Sequence, residues 1–100
     1  MTRIRRPSDQ ALTVLAALAA QPKAWRHGYD LAVETALKSG TLYPILMRLE
    51  ERSLLQAQWE DPGQGRAPRH QYRLTTQGLR WAREQLAATA STAMPHSVRS

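Results

Sequence analysis

Apolar residues follow a helical spacing in the first half of the chain and an alternating spacing from residue 54 onward. The segment 11–20 reads ALTVLAALAA and predicts a helix that is apolar nearly all round. Ser8 or Asp9 is expected to cap this helix, and Pro22 to stop it. An apolar surface on every side must be covered on every side. The helix is therefore either the central core helix or one whose second face meets another subunit.

Two more helices are predicted before the alternating region. The first covers 28–36, and its expected buried face consists of Leu31, Ala32, Thr35 and Ala36. The tripeptide 38–40 breaks it, and the second helix then covers about 41–52. The expected buried stripe of that helix consists of Leu42, Ile45, Leu46 and Leu49. Its outward side carries Thr41, Pro44, Arg48 and Glu51. Pro44 is expected early in the helix, where its missing N–H costs little.

The alternating region predicts a β-hairpin. Leu55, Ala57 and Trp59 point to one side of the first strand, and Trp59 is expected on the inner face. Turn-forming residues at 61–65 and renewed alternation at 71–74 complete the hairpin. Its tip is basic, because Arg66 and Arg69 lie at or near it.

The order of elements is that of a winged helix-turn-helix, a mainly α fold with a small β-hairpin. Thr75 or Thr76 is expected to cap one more helix after the hairpin. We expect four segments: a basic arm at 1–7, the winged helix-turn-helix domain at 8–75, a dimerisation helix at 76–90 and a disordered tail at 91–100. In this fold the third helix enters the major groove of DNA, and the hairpin, or wing, follows the backbone or minor groove.

Charge and composition favour a polyanionic partner. The chain of 100 residues has 14 Lys and Arg against 8 Asp and Glu, a formal net charge of +6 and a pI near 10.8. Most of the cations are arginines, whose planar fork holds phosphate or guanine bidentately. The absence of cysteine excludes disulfides and thiolate zinc sites and is compatible with the cytoplasm. No membrane span is expected, since the longest apolar run is about half of the roughly 20 residues needed.

An enzyme is not indicated. His27, His70 and His96 lack the spacing of metal ligands, and no Gly-x-Ser-x-Gly motif or phosphate loop is present. Glu50 and Glu51 face about 100° apart on a helix and form a poor catalytic pair. We therefore expect no cofactor and no metal. A winged helix used only for protein interaction and a metal-sensing winged helix are the alternatives, and arginines on both the wing and the N-terminal arm favour DNA over the first of these.

We expect the third helix and the wing to supply the DNA contacts. Arg48 lies about two turns beyond Thr41 on the exposed side of the third helix, and the helix start offers backbone N–H groups to a phosphate. The predicted DNA-binding residues are Tyr29, Lys38, Ser39, Gly40, Thr41, Tyr43, Pro44, Arg48, Arg66 and Arg69.

Three motifs carry a resemblance to a known family. They are His-Gly-Tyr-Asp-Leu at 27–31, Gly-Thr-Leu-Tyr-Pro at 40–44 followed by Arg-Leu-Glu at 48–50, and Tyr-Arg-Leu-Thr at 72–75 leading to Gly78. With these motifs the chain resembles the PadR-like transcriptional regulators over roughly residues 12–86. The resemblance implies a bacterial, dimeric, DNA-binding repressor that is released by a small molecule or a cellular signal. Ser53 departs from the pattern, because such proteins usually have Gly there. The length is similar to that of the short members, which have a single C-terminal helix.

The last helix is expected to take part in a homodimer. Leu79, Ala82, Leu86 and Ala90 lie within about 80° of arc, whereas Trp81 points about 200° away from Leu79. We expect a partner or a ligand to cover Trp81, which makes it a candidate for stacking a planar aromatic effector, beside a plain packing role. The resemblance implies dimerisation through the first and last helices. The predicted interface residues are Leu12, Leu15, Leu79, Ala82 and Leu86.

Overall fold

The computed structural model describes the backbone of residues 7–93 and the side chains of residues 7–89. Most of the predicted basic arm, and residues 94–100 of the predicted tail, lie outside this range. Residues 91–93, which were expected to begin a disordered tail, are instead the end of the last helix. The elements in chain order are α1 (Asp9–Ala20), β1 (Arg26–His27), α2 (Gly28–Thr35), α3 (Ser39–Glu51), β2 (Leu55–Glu60), β3 (Arg69–Leu74) and α4 (Thr76–Ala93). The winged-helix prediction is confirmed.

Helix α1 is the central helix of the core. The Ser8 hydroxyl caps it by accepting a hydrogen bond from the backbone N–H of Ala11 at 3.1 Å. Val14 and Leu15 are fully buried, and Leu18 nearly so. The core-helix interpretation of the apolar run is therefore confirmed, and contact with a second subunit stays a prediction.

The boundary between α2 and α3 differs from the expectation. Helix α2 ends at Thr35 because Ala36 adopts a left-handed conformation (φ 61°), and Ala36 is exposed rather than buried. Helix α3 begins two residues earlier than predicted, since the extended Lys38 carbonyl accepts from the N–H groups of Thr41 and Leu42 at 2.9 Å each. Gly40 therefore lies inside α3. The predicted apolar stripe of α3 is confirmed as buried.

The end of α3 explains why glycine suits position 53. Ser53 has a positive φ of 63°, a conformation that glycine adopts without strain and serine does not. Its N–H donates to the Glu50 carbonyl at 3.0 Å, and the Leu54 N–H donates to the Leu49 carbonyl at 2.9 Å. The helix consequently ends with the left-handed residue that is usually glycine, and here the backbone of Ser53 is strained.

The sheet has three antiparallel strands in the order β1-β3-β2. The wing register pairs Leu55 with Leu74 and Glu60 with Arg69. Strand β1 was not predicted, because two residues are too few to show alternation.

Trp59 was wrongly expected on an inner face: it is 64% exposed, since the hairpin extends beyond the core at this point. Its ring instead stacks on His70, with ring centres 3.8 Å apart.

Helix α4 is attached to the turn after α3 through Thr75. The Thr75 hydroxyl donates to the Ser53 carbonyl at 2.9 Å and accepts from the Gly78 N–H at 2.8 Å, which confirms Thr75 as the cap. The Thr75 N–H also donates to the Leu54 carbonyl at 3.1 Å. Gly78 lies directly against the Leu54 backbone. These contacts fix the angle at which α4 leaves the wing.

Two of the five predicted interface residues belong to the interior of the chain. Leu15 and Ala82 are 0% exposed, so their side chains offer no surface to a second subunit. Assigning them to the interface was wrong, since α1 and α4 pack against each other within one chain. Leu12, Leu79 and Leu86 are partly buried. Only these three retain surface for a partner.

Candidate nucleic-acid interface

The outward face of α3 is open to solvent. Ser39, Gly40, Pro44 and Arg48 are exposed, and Thr41 is partly buried. A Cβ added to Gly40 would meet nothing within 4 Å, so another molecule can approach the backbone there. Arg48 forms no ion pair with any residue that the structure describes, which leaves its guanidinium available for an external acceptor.

Pro44 lies deeper in α3 than expected. Because the helix begins at Ser39, Pro44 is beyond the first turn, and its missing N–H removes a hydrogen bond that the Gly40 carbonyl would otherwise accept. The expectation of a costless early position was wrong for that reason. Both residues are exposed, so water or a ligand donor can serve the Gly40 carbonyl instead.

Tyr43 is partly buried between α3 and α2. Its hydroxyl abuts the Cα of Gly28, where any Cβ would overlap it. Its ring is packed against the core and tilted toward Tyr72, with ring centres 6.5 Å apart. The contact between Gly28 and Tyr43 joins two of the three motifs, since Gly28 provides the space that the Tyr43 hydroxyl fills. Tyr43 thus positions α3 against α2.

Burial changes the acidity of Tyr72, the partner of Tyr43 in this ring contact. Desolvation raises the pKa of Tyr72 to about 12, with further increases from Tyr43 and Glu50. The phenol therefore stays neutral at any physiological pH, and it supports the fold rather than proton transfer.

A cleft of about 210 Å³ separates the start of α2 from the end of the wing strands that is nearer the tip. It is lined by His27, Gly28, Tyr29, Tyr43, Arg69 and His70. Three of the predicted DNA contacts therefore line the same cleft: Tyr43, Arg69 and Tyr29, which is 75% exposed. Lys38 is exposed at the start of α3, where backbone N–H groups and the helix dipole favour an anion.

An ionic network ties the wing to α2, and the sequence did not reveal it. The His27 imidazole lies between two carboxylates, with Nε2 2.6 Å from Glu60 Oε1 and Nδ1 3.5 Å from Asp30 Oδ2. Arg69 joins the same Glu60 oxygen at 3.6 Å. Arg69 is consequently shared between a structural role and any contact with DNA. The opposite charges of Glu60 and Arg69 could have indicated this ion pair from the sequence. Recognising it requires the register of the two wing strands, which places these residues opposite each other.

Arg66 is placed at the tip of the wing. The turn around it uses positive φ angles at Gly63, Gln64 and Gly65, of 74°, 53° and 75°. The Arg66 N–H donates to the Gly63 carbonyl at 3.0 Å, and the side chain is exposed. The tip is therefore a basic projection separate from α3.

Helix α4 carries a shallow groove that does not include Trp81. The groove, about 500 Å³, is lined by Thr76, Leu79, Arg80, Arg83, Glu84 and Ala87. Trp81 packs partly against the core, and the Arg52 guanidinium lies 5.6 Å from its ring centre. The expectation that only a partner or ligand can cover Trp81 was wrong, because Arg52 of the same chain covers part of it.

Within residues 7–89, no three histidine, aspartate or glutamate side chains are grouped so as to hold a metal ion. None of the helices described is long and apolar enough to cross a bilayer.

Comparisons with a family model and with solved structures both find PadR-like regulators. Residues 14–84 match the family model described as the transcriptional regulator PadR-like family. A solved PadR-like transcription factor from Bacteroides fragilis is 30% identical, with 83% of this chain and 82% of that chain covered and a TM-score of 0.67.

Two further solved structures have similar folds. A PadR family transcriptional regulator from Eggerthella lenta is 33% identical, covers 80% of this chain and 73% of its own, and has a TM-score of 0.65. The PcaV transcriptional regulator from Streptomyces coelicolor, solved with its natural ligand, is 29% identical, covers 89% and 60%, and has a TM-score of 0.72. No curated protein sequence matches the chain.

Proposed function

This chain belongs to the PadR-like family of transcriptional regulators, and from that membership we propose a cytoplasmic repressor that binds a pseudo-palindromic DNA operator as a homodimer. The observation that carries the proposal is the outward face of α3, where Pro44 and Arg48 are exposed opposite a buried inner stripe. Arg48 has no ion-pair partner among the residues that the structure describes. A net charge of +6 supplies the attraction to phosphate.

The dimer is proposed from the apolar surface that α1 and α4, the first and last helices, leave partly exposed. Leu79 lines the α4 groove and Leu12 lies on α1, so both retain apolar surface that a second copy can cover. Two-fold symmetry would place the two copies of α3 about 34 Å apart, one turn of B-DNA. The operator is then two half-sites in inverted orientation.

Selection from a random duplex library tests specific binding. We expect enrichment of an inverted repeat, and a fall in log K against log salt with a slope of roughly −5 to −9, since about 6 to 10 phosphates are neutralised. A salt-independent affinity, or no preference among sequences, would refute the proposal. That result, with the dimer intact, would favour the alternative of a winged-helix module that binds only proteins.

A matched pair of arginine variants separates base reading from anchoring. Arg48→Ala should cost about 1 to 3 kcal/mol at the selected site and relax its sequence preference. Arg66→Ala, a change of the same size at the wing tip, should weaken all duplexes alike. Both are measured by fluorescence anisotropy on the selected and a scrambled duplex. The reverse pattern would mean that the wing reads sequence.

A small planar aromatic effector is the second part of the proposal. The groove on α4 supports it, as does the similarity to PcaV, which was solved with a ligand. Trp81 lies outside the groove but on the same helix, next to the groove residue Arg80. The proposed dimer would have two conformations that differ in the distance between its recognition helices. Such a compound weakens DNA binding if it binds more tightly to the conformation that does not fit the operator. A variant that keeps Trp81 alone, with Trp25→Phe and Trp59→Phe, reports on binding through fluorescence. Absence of quenching by a panel of flat cationic dyes, in a folded dimer, would leave Trp81 as a packing residue.

A further inference from the structure

Met47 is a large apolar side chain left in solvent on the recognition helix, where it is 58% exposed. Its position is not random. Gly40, Pro44, Met47 and Glu51 follow one another at helical spacing and lie within about 60° of arc. This line, which we call the outer line of α3, is opposite the buried stripe of the same helix.

The outer line contains no cation. Arg48 lies about 70° round the helix from its centre, and Lys38 lies before the first turn. When a helix enters the major groove, its outermost line approaches the base edges, whereas long side chains on its flanks can reach either base edges or phosphates. The absence of positive charge from the outer line therefore suits the groove floor and not the backbone.

The chemistry of the line selects among base edges. Pro44 and Met47 offer only apolar surface at its middle, and Gly40 adds no side chain that would hold them away. The apolar feature of the major groove is the C5-methyl group of thymine. We propose that Met47, supported by Pro44, reads a thymine methyl in each operator half-site. This inference rests on the proposed DNA-binding function and names the base that the middle of α3 requires.

Replacing single thymines by deoxyuracil tests the inference directly, since it removes the methyl group and leaves the base pair intact. The probe is the duplex selected by the wild-type protein from a random library, resynthesised with one substituted thymine per half-site. At one position we expect about fourfold weaker binding per half-site, the factor for one buried methyl group. Met47→Gln, nearly equal in volume but polar, should bind both duplexes equally, and Met47→Leu should keep the preference for thymine.

Val33→Ala is the matched control. Val33 is about as exposed as Met47, at 63% against 58%, but it lies on α2. This variant should therefore discriminate thymine from deoxyuracil like the wild type. Far-UV circular dichroism confirms that each variant is folded. Equal binding of every deoxyuracil duplex by the wild type, or unchanged discrimination by Met47→Gln, would overturn the inference while leaving DNA binding established. Failure to enrich any sequence would instead refute the proposed function and the inference with it.

Discussion

A glycine-to-alanine pair tests how α4 is attached to the wing. Gly78 and Gly40 both lie near the start of a helix, yet their surroundings differ. A Cβ on Gly78 would overlap the Leu54 carbonyl oxygen and lie 2.7 Å from its carbon and 3.0 Å from its Cα, against ordinary contacts of 3.4 Å or more. A Cβ on Gly40 would meet nothing within 4 Å. The same chemical change should therefore act in opposite directions.

The magnitude follows from the groups that must move. The obstacle at Gly78 is backbone, which cannot rotate away, so α4 must shift and strain the hydrogen bond between the Thr75 N–H and the Leu54 carbonyl. Overpacking and a weakened hydrogen bond together cost about 2 to 4 kcal/mol, and the better helix propensity of alanine returns about 1 kcal/mol. Gly78→Ala should lose about 1 to 3 kcal/mol. Gly40→Ala should gain about 0.4 to 1 kcal/mol.

Urea denaturation followed by circular dichroism measures both variants, at one protein concentration because the stability of the proposed dimer would depend on it. The midpoint should fall for Gly78→Ala and rise for Gly40→Ala, without a change in m. In a thermal scan, each kcal/mol corresponds to about 4 to 8 °C for a domain of this size. Equal shifts in the two variants, or a Gly78→Ala protein as stable as the wild type, would refute the reasoning.

Three other predictions concern stability and assembly. Because the pKa of Tyr72 is raised from 10.0 to about 12, the unfolded chain loses the phenol proton first, so stability should fall by about 2 to 3 kcal/mol as pH rises from about 10 to 12. Tyr72→Phe should lack that share of the loss in urea titrations. Leu15→Ala, at a fully buried site, should cost about 2 to 5 kcal/mol, and Leu12→Ala distinctly less. Leu86→Asp should dissociate the dimer in sedimentation experiments, since a carboxylate would be buried unpaired, and an unchanged dimer would contradict the interface.

Elements with a long periodic pattern were predictable from the sequence. The stripe from Leu42 to Leu49 and the cap at Ser8 depend on residues close together in the chain, and the structure has both. Strand β1 was missed because its pairing of Arg26 with Tyr72 joins residues far apart. Arg26 also bonds the Ala17 carbonyl at 3.0 Å, a contact that no local pattern contains. Local spacing therefore predicts the long helices and their caps. Short strands and side-chain contacts depend on residues that are distant in the sequence.

The candidate site was predictable only in outline. The outward side of α3 followed from periodicity, but the role of Tyr43 did not, because its hydroxyl is held by Gly28 of another helix. Arg69 looked free in the sequence and is partly engaged by Glu60. Met47 was overlooked although it lies three residues after Pro44 on the same face. Single apolar residues are common on protein surfaces, so an exposed methionine indicates a function only when its surface is expected to bind a ligand.

The motifs that carry the family resemblance hold the fold together, which limits what they say about the operator. Gly28 accommodates Tyr43, and Thr75 joins Ser53 to Gly78, so these residues set the position of α3 and the wing. Met47 lies between the motifs and contributes little to the core, because most of its side chain is in solvent. A change at Met47 should therefore alter base preference at almost no cost in folding stability, whereas a change at Gly28 should do the opposite.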